Sequence, residues 1–508
     1  MISNVLSATV IGLNAQIVSV EVHFSKGKTN FHIVGMPDKA CSESKERVTA
    51  IIKNYLGHRL PAGTITVNLA PADIVKSGPN FDLPIALGIL HSIGIIKSEL
   101  KNKLFIGELG LDGKTHHTKA VLSIADLVRN KDIKEFYVPY LNCKESSLIP
   151  DIRIIPVLDL KNLIEHLNQI KSIACYKKSL NNYYLENNNS SYVDMSLIKN
   201  QEHAKRALLI TSAGGHNILM IGPPGSGKTM LARSLPTILP NPTFEESLEI
   251  TKIYSVSGFL SEDKALISTR PFRNPHHTIS HIALIGGGPN PRPGEISLAH
   301  RGVLFLDEFS EFSSKSLESL RQPLEDGVVT ISRAKSSVTF PSRFILVASM
   351  NPCRCGWLGD NMNVCTCTPY EIRNYKRKIS GPILDRIDLQ IHIKRINIRN
   401  LQKDKLAKTS KEILNKVVIA RDIQLKRFNN SSTIYNSEMN QREIYKYIRL
   451  NTSASLLIQK AFKVMNLSAR SYYKILKISR TIADLEGQDE IKDEHIAEAL
   501  SYRLEDNL

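Results

Sequence analysis

Apolar residues recur along this chain with two different periods, and the change of period divides it. From Thr64 to Leu69, Ile65, Val67 and Leu69 alternate with Thr64, Thr66 and Asn68. That period of two predicts a half-buried strand. Phe81 to Ile96 is almost continuously apolar and predicts a buried helix, while Ala120 to Arg129 carries an amphipathic helical period. Residues 1–175 therefore read as a mixed α/β domain. Asn181 to Ser191 is polar and rich in Asn, with no apolar period, which places a linker at 176–195. Over 196–395, short apolar runs alternate with helical patterns, as in a doubly wound α/β domain. The runs end at Ile221, Leu306 and Met350. Over 396–508 the period is helical, with segments at 406–427, 441–449, 453–464, 469–485 and 492–502. Between Val328 and Phe340, two alternating β-branched runs flank a short polar turn, which predicts a hairpin.

The ends of the central runs carry the chemistry. After Asn217–Ile221 come Gly222, Pro223, Pro224, Gly225, Ser226, Gly227, Lys228 and Thr229. This is the G-x-x-x-x-G-K-[ST] phosphate-binding loop, between a predicted strand and a predicted helix. Glycines let backbone N–H groups turn toward phosphate oxygens, Lys228 adds a charge at the β/γ-phosphates, and the Thr229 hydroxyl suits Mg²⁺. Gly302 to Leu306 is an apolar strand that ends in Asp307 and Glu308. Asp307 is placed to hold Mg²⁺ through water, and Glu308 to orient and polarise an attacking water. Together they call for ATP and Mg²⁺ as cofactors.

Composition narrows the setting. The 508 residues are 42% hydrophobic and 23% charged, ordinary values for a folded globular chain. No run of about 18 apolar residues occurs, and the first residues lack the positive stretch of a secretory signal. A cytoplasmic protein with no membrane partner is expected. The net charge of +17 points to an anionic partner, nucleic acid first. A compositional richness in Lys, Ile and Asn explains the same charge equally well. Seven cysteines do not suggest a disulfide framework. Cys353, Cys355, Cys365 and Cys367 fall within 15 residues. Four thiolates so close most simply read as a tetrahedral zinc site, with free thiols or a redox pair as the alternatives.

Over essentially its whole length the sequence resembles the magnesium-chelatase-like AAA+ ATPases of the ComM/YifB type. The resemblance rests on the phosphate loop, Arg270 to His277, Gly294 to Gly302, Asp307-Glu308 and Ser380 to Asp388. It implies an N-terminal Lon-protease-like α/β domain, an AAA+ αβα core and a C-terminal helical lid. It also implies a homo-hexameric ring acting on single-stranded or branched DNA as a branch-migration helicase. By the same resemblance Asn351 takes the sensor-1 position, which helps place the water. Arg386 matches the arginine finger that reaches a neighbour's site, and Arg470 matches sensor 2. The hairpin is similar to one that projects into the ring channel, where Arg333 and Lys335 at its tip would grip phosphates. The insert from Phe272 to Pro293 matches a second channel element. Its adjacent His276 and His277 are expected to point apart, which favours a pore-loop role over a metal site. In the N-terminal domain, Asn80 follows Lys76-Ser77-Gly78-Pro79 where a serine nucleophile would stand, and Leu122 replaces the partner lysine. Both departures predict a non-proteolytic domain. A chelatase-type ATPase that remodels a protein partner is the alternative function.

Overall fold

The computed structural model describes residues 2–57, 61–177, 192–260, 265–288, 291–332, 337–360, 362–395, 408–429, 431, 433–465 and 467–503. The chain forms two compact units. The first comprises Met1–Glu186 with Phe244–Ser268, and the second Asn187–Thr243 with Thr269–Leu508.

The first unit is built on a seven-stranded sheet. Its strands are β1 (Ile2–Ile11), β2 (Asn14–Lys26), β3 (Asn30–Val34), β4 (Gly63–Ala70), β5 (Lys103–Phe105), β6 (Glu135–Pro139) and β7 (Arg153–Val157), in the order β3-β4-β2-β1-β5-β6-β7. The alternation in β4 holds: Ile65, Val67 and Leu69 are buried, and the residues between them are partly exposed. Helices Asp82–Ser92 and Val121–Asn130 supply apolar faces to the core. Leu122 is fully buried in an apolar cluster with Ile106 and Val128.

Helix Phe244–Ser257 belongs to this first unit, although the sequence period assigns residues 196–395 to the core. Its Lys252 pairs with Asp126 at 2.8 Å, and Ser255 donates to Glu145 at 2.5 Å. Glu145 is buried and also accepts from Leu122 N at 3.2 Å.

The second unit carries an all-parallel five-stranded sheet made of β8 (Ile218–Ile221), β9 (Phe272–Arg273), β10 (Val303–Leu306), β13 (Ile345–Met350) and β14 (Leu389–His392). Its order is β9-β10-β13-β8-β14. Between β10 and β13 lies the hairpin of β11 (Val328–Ser332) and β12 (Ser337–Pro341), in antiparallel register with Ser332 opposite Ser337. The central strands are buried along their length, as parallel strands covered on both faces must be.

The C-terminal helices are Ser410–Arg427, Gln441–Tyr447, Thr452–Val464, Ala469–Leu485 and Asp493–Ser501. They share the core of this sheet: Ile475 and Ile482 lie in one apolar cluster with Ile218 and Phe305. Polar ties join the same elements. Gln390 N donates to Tyr502 O at 2.8 Å, and Arg421 Nε donates to Ser212 O at 3.0 Å.

Candidate active site

The register of the parallel sheet sets the site. Ile221 pairs with Met350, and Leu306 pairs with Ala348. The carboxyl ends of β8, β10 and β13 therefore finish side by side, where ligands bind in open α/β sheets. Gly222 follows β8, Asp307 follows β10 and Asn351 follows β13.

The phosphate loop leaves β8 with Gly222 N donating to Met350 O at 3.2 Å. A β-carbon on Gly222 would stand 2.4 Å from Ile393 O, so only glycine fits there. Gly225 and Gly227 adopt φ of 73° and 89°, the left-handed region that favours glycine. Lys228 Nζ donates to Gly222 O at 2.6 Å, Pro223 O at 3.0 Å and Asn351 Oδ1 at 3.2 Å. Burial pushes the Lys228 ammonium below its ordinary pKa.

Asp307 is the hub of the acidic half. Thr229 Oγ1 donates to its Oδ2 at 3.1 Å, and Glu308 N donates to its Oδ1 at 3.0 Å. Ser349 on β13 also donates to Asp307 Oδ1. A threonine hydroxyl touching a carboxylate offers the hard oxygen donors that Mg²⁺ takes.

Glu308 has φ of 52°, which is uncommon outside glycine. Its side chain is 57% exposed and meets His277 Nδ1 at 3.0 Å. The expectation that His276 and His277 point apart fails. Their ring centroids are 4.1 Å apart at 34°, because this stretch lies between β9 and helix His281–Ile285 and is not regular structure. His277 is thus a site residue that the sequence pattern did not reveal. Ser349 is another. Tyr375 is a third: its hydroxyl accepts from Ser310 Oγ at 2.6 Å, in the turn after Glu308.

Arg386 and Arg470 meet elsewhere, around one carboxylate. Arg386 reaches Glu325 Oε1 at 2.5 Å and Arg470 reaches the same oxygen at 2.7 Å. The hydrogen bond from Arg386 holds the Glu325 carboxyl below its ordinary range against the effect of burial, and Arg470 adds to it. These residues line a cavity of about 540 Å³ that also receives Arg343, Lys474 and Asp388. Asn217, at the start of β8, donates to Asp388 Oδ2 at 3.1 Å and to Arg386 O at 3.3 Å. Burial opposes ionisation of Asp388, yet Lys474 at 3.0 Å and His216 hold its carboxyl well below the usual range.

The four cysteines converge. Their Sγ atoms all lie within 4.8 Å of one another. Arg333 and Lys335, assigned to the hairpin tip, lie outside the described residues. Among the described residues, no helix is long and apolar enough to cross a membrane.

Comparison with known proteins matches three stretches of the chain. Residues 194–401 match the family described as magnesium chelatase, subunit ChlI; residues 20–142 match subunit ChlI of Mg-chelatase, and residues 407–503 its C-terminal part. The chain is 41% identical to competence protein ComM of Haemophilus influenzae, over 98% of this chain and 97% of that protein. It is 38% identical to YifB of Escherichia coli, over 100% and 98%. To the 38 kDa magnesium-chelatase subunit of Rhodobacter capsulatus it is 29% identical, over 31% and 49%. With a parallel-sheet core, a phosphate loop at its carboxyl edge and full-length relatives of this kind, the chain belongs to the magnesium-chelatase-like AAA+ family.

Proposed function

We propose that this chain is an ATP-hydrolysing motor that works on DNA as a homo-hexameric ring and drives branch migration. The observation that carries the ATPase half is the assembly of Lys228, Asn351, Thr229, Asp307 and Glu308 at one sheet edge. Lys228 binds the β/γ-phosphates. Thr229 and Asp307 would hold Mg²⁺, which would neutralise charge on the phosphates. Glu308 takes the proton of the attacking water, and Asn351 fixes that water's position. His277 beside Glu308 orients the carboxylate. The DNA half is supported by full-length similarity to a competence protein, by the net charge of +17 and by the hairpin that brackets Arg333 and Lys335.

The test is ATP turnover measured alone and with single-stranded, duplex and branched DNA. Stimulation that is greatest with branched DNA is expected. Arg333→Ala with Lys335→Ala should remove the stimulation and keep basal turnover. The same pair should flatten the slope of log affinity against log salt on duplex DNA by about one for each phosphate no longer gripped. Turnover indifferent to every DNA would contradict the reading and favour a protein-remodelling ATPase.

A further inference from the structure

We propose that Cys353, Cys355, Cys365 and Cys367 bind a thiophilic divalent cation, zinc first, and that the closed metal knot holds the phosphate loop and Asn351 in working register. The coupling half rests on the reading of the neighbouring site as a nucleotide site.

The sulfur geometry is that of a ligand set. Cys353 and Cys355 Sγ are 3.4 Å apart, Cys353 and Cys365 3.7 Å, and Cys355 and Cys365 3.6 Å. A tetrahedron with Zn–S bonds of about 2.3 Å has edges of about 3.8 Å. Disulfide sulfurs would stand at about 2.05 Å. Backbone amides also lie beside the sulfurs: those of Trp357 and Thr366 near Cys355, and that of Cys367 near Cys365. Amides so placed orient thiolate ligands and offset their charge. Each thiol gives up its proton on binding the cation, so affinity weakens in acid. Four soft sulfurs select zinc over the hard-oxygen cations that suit Thr229 and Asp307.

The knot sits against the nucleotide site at three points. Cys353 is buried and lies two residues beyond Asn351. Gly356, at φ of 86°, packs so closely on the phosphate loop that a β-carbon there would stand 2.7 Å from Pro224 Cδ. Just past Cys367, Thr368 caps helix Pro369–Arg377 through a reciprocal bond with Glu371. That helix returns Tyr375 beside the Asn351 backbone, with its hydroxyl accepting from Ser310 Oγ at 2.6 Å. The segment thus leaves Asn351 and comes back to it, with the cysteines gathering the chain between. Holding Asn351 also holds its bond to Lys228.

Two measurements decide the matter. Elemental analysis of the full chain, purified in reducing buffer without chelator, should find about one zinc per chain, lost in the Cys365→Ser, Cys367→Ser variant. ATP turnover and nucleotide affinity are then compared before and after zinc removal by chelator, with excess Mg²⁺ restored, and again after zinc is returned. Turnover should fall about tenfold to a hundredfold and recover with zinc alone, since small misplacements of reacting groups carry such costs. Gly356→Ala should keep its zinc and still lose turnover, which separates the packing on Pro224 from loss of the metal. A wild-type chain that hydrolyses ATP in Mg²⁺ with no zinc or other thiophilic cation bound overturns the proposal. So does a metal whose removal leaves turnover and nucleotide affinity unchanged. A chain with stoichiometric zinc but no ATP turnover under any condition speaks against the proposed ATPase instead, and leaves the metal site standing.

Discussion

Two clusters in the second unit contrast in how far one chain completes them. At the sheet edge, Lys228 already touches Asn351, and Thr229 already touches Asp307, so the groups proposed for phosphate and Mg²⁺ stand together. Around Glu325, Arg386 and Arg470 stand together too, but their shared partner is a carboxylate. The phosphate cluster has an exposed carboxylate in Glu308 and a lysine hydrogen-bonded to two backbone carbonyls and Asn351. The Glu325 cluster has two guanidinium groups held on one anion. In the proposed ring they would form the two halves of one composite site, supplied by neighbouring copies of the chain. If the proposed ring forms, the contrast teaches that a motif residue's neighbours within one chain need not be the groups it serves in the assembly.

The sharpest way to break the comparison is to strip one half. Lys228→Ala should abolish nucleotide binding, because it removes the charge this loop places for the β/γ-phosphates. Glu308→Gln should leave binding intact and lower hydrolysis by about 10²–10⁴, the scale of a lost general base. Binding by filter or calorimetry and turnover by phosphate release separate the two. Normal turnover in Glu308→Gln would remove Glu308 from its role.

A milder test uses pH, to which the two halves respond differently. Burial depresses the Lys228 pKa, whereas guanidinium groups stay charged across the accessible range. ATP affinity should therefore weaken as pH rises toward the ordinary lysine value of about 10.4, and binding in that window should take up protons. The unfolded chain holds the Lys228 proton to higher pH than the nucleotide-free native chain. Native stability contributed by this group thus rises as pH passes through the lowered value. Calorimetry in buffers of different ionisation heat reads the proton uptake; uptake of zero across the alkaline range would show that Lys228 is not the titrating group.

Much of this was legible in the sequence because it is locally encoded. A glycine-rich loop between strand and helix, two carboxylates ending an apolar run, and alternating β-branched runs about a turn each declare themselves within about ten residues. What was hidden depends on approach between distant segments. His277 reaches Glu308 only because an irregular stretch crosses the sheet edge, and Ser349 meets Asp307 only through the β10–β13 register. The apolar pattern of Phe244–Ser257 predicts a packed helix but not which core it joins; the pairs Lys252–Asp126 and Ser255–Glu145 place it in the first unit. Likewise the helical period after residue 396 does not show that Ile475 and Ile482 share an apolar cluster with Ile218.

The composite reading is tested most directly by mixing subunits. Arg386→Ala and Lys228→Ala chains should each assemble and each be nearly inactive, since a finger arginine can be worth about 10³ or more in rate. Mixed, some interfaces pair an intact phosphate loop on one copy with an intact Arg386 on the next. ATP turnover of the mixture should then rise above that of either variant alone and peak at an intermediate ratio. No recovery at any ratio, with co-assembly of the two variants demonstrated, would contradict the account.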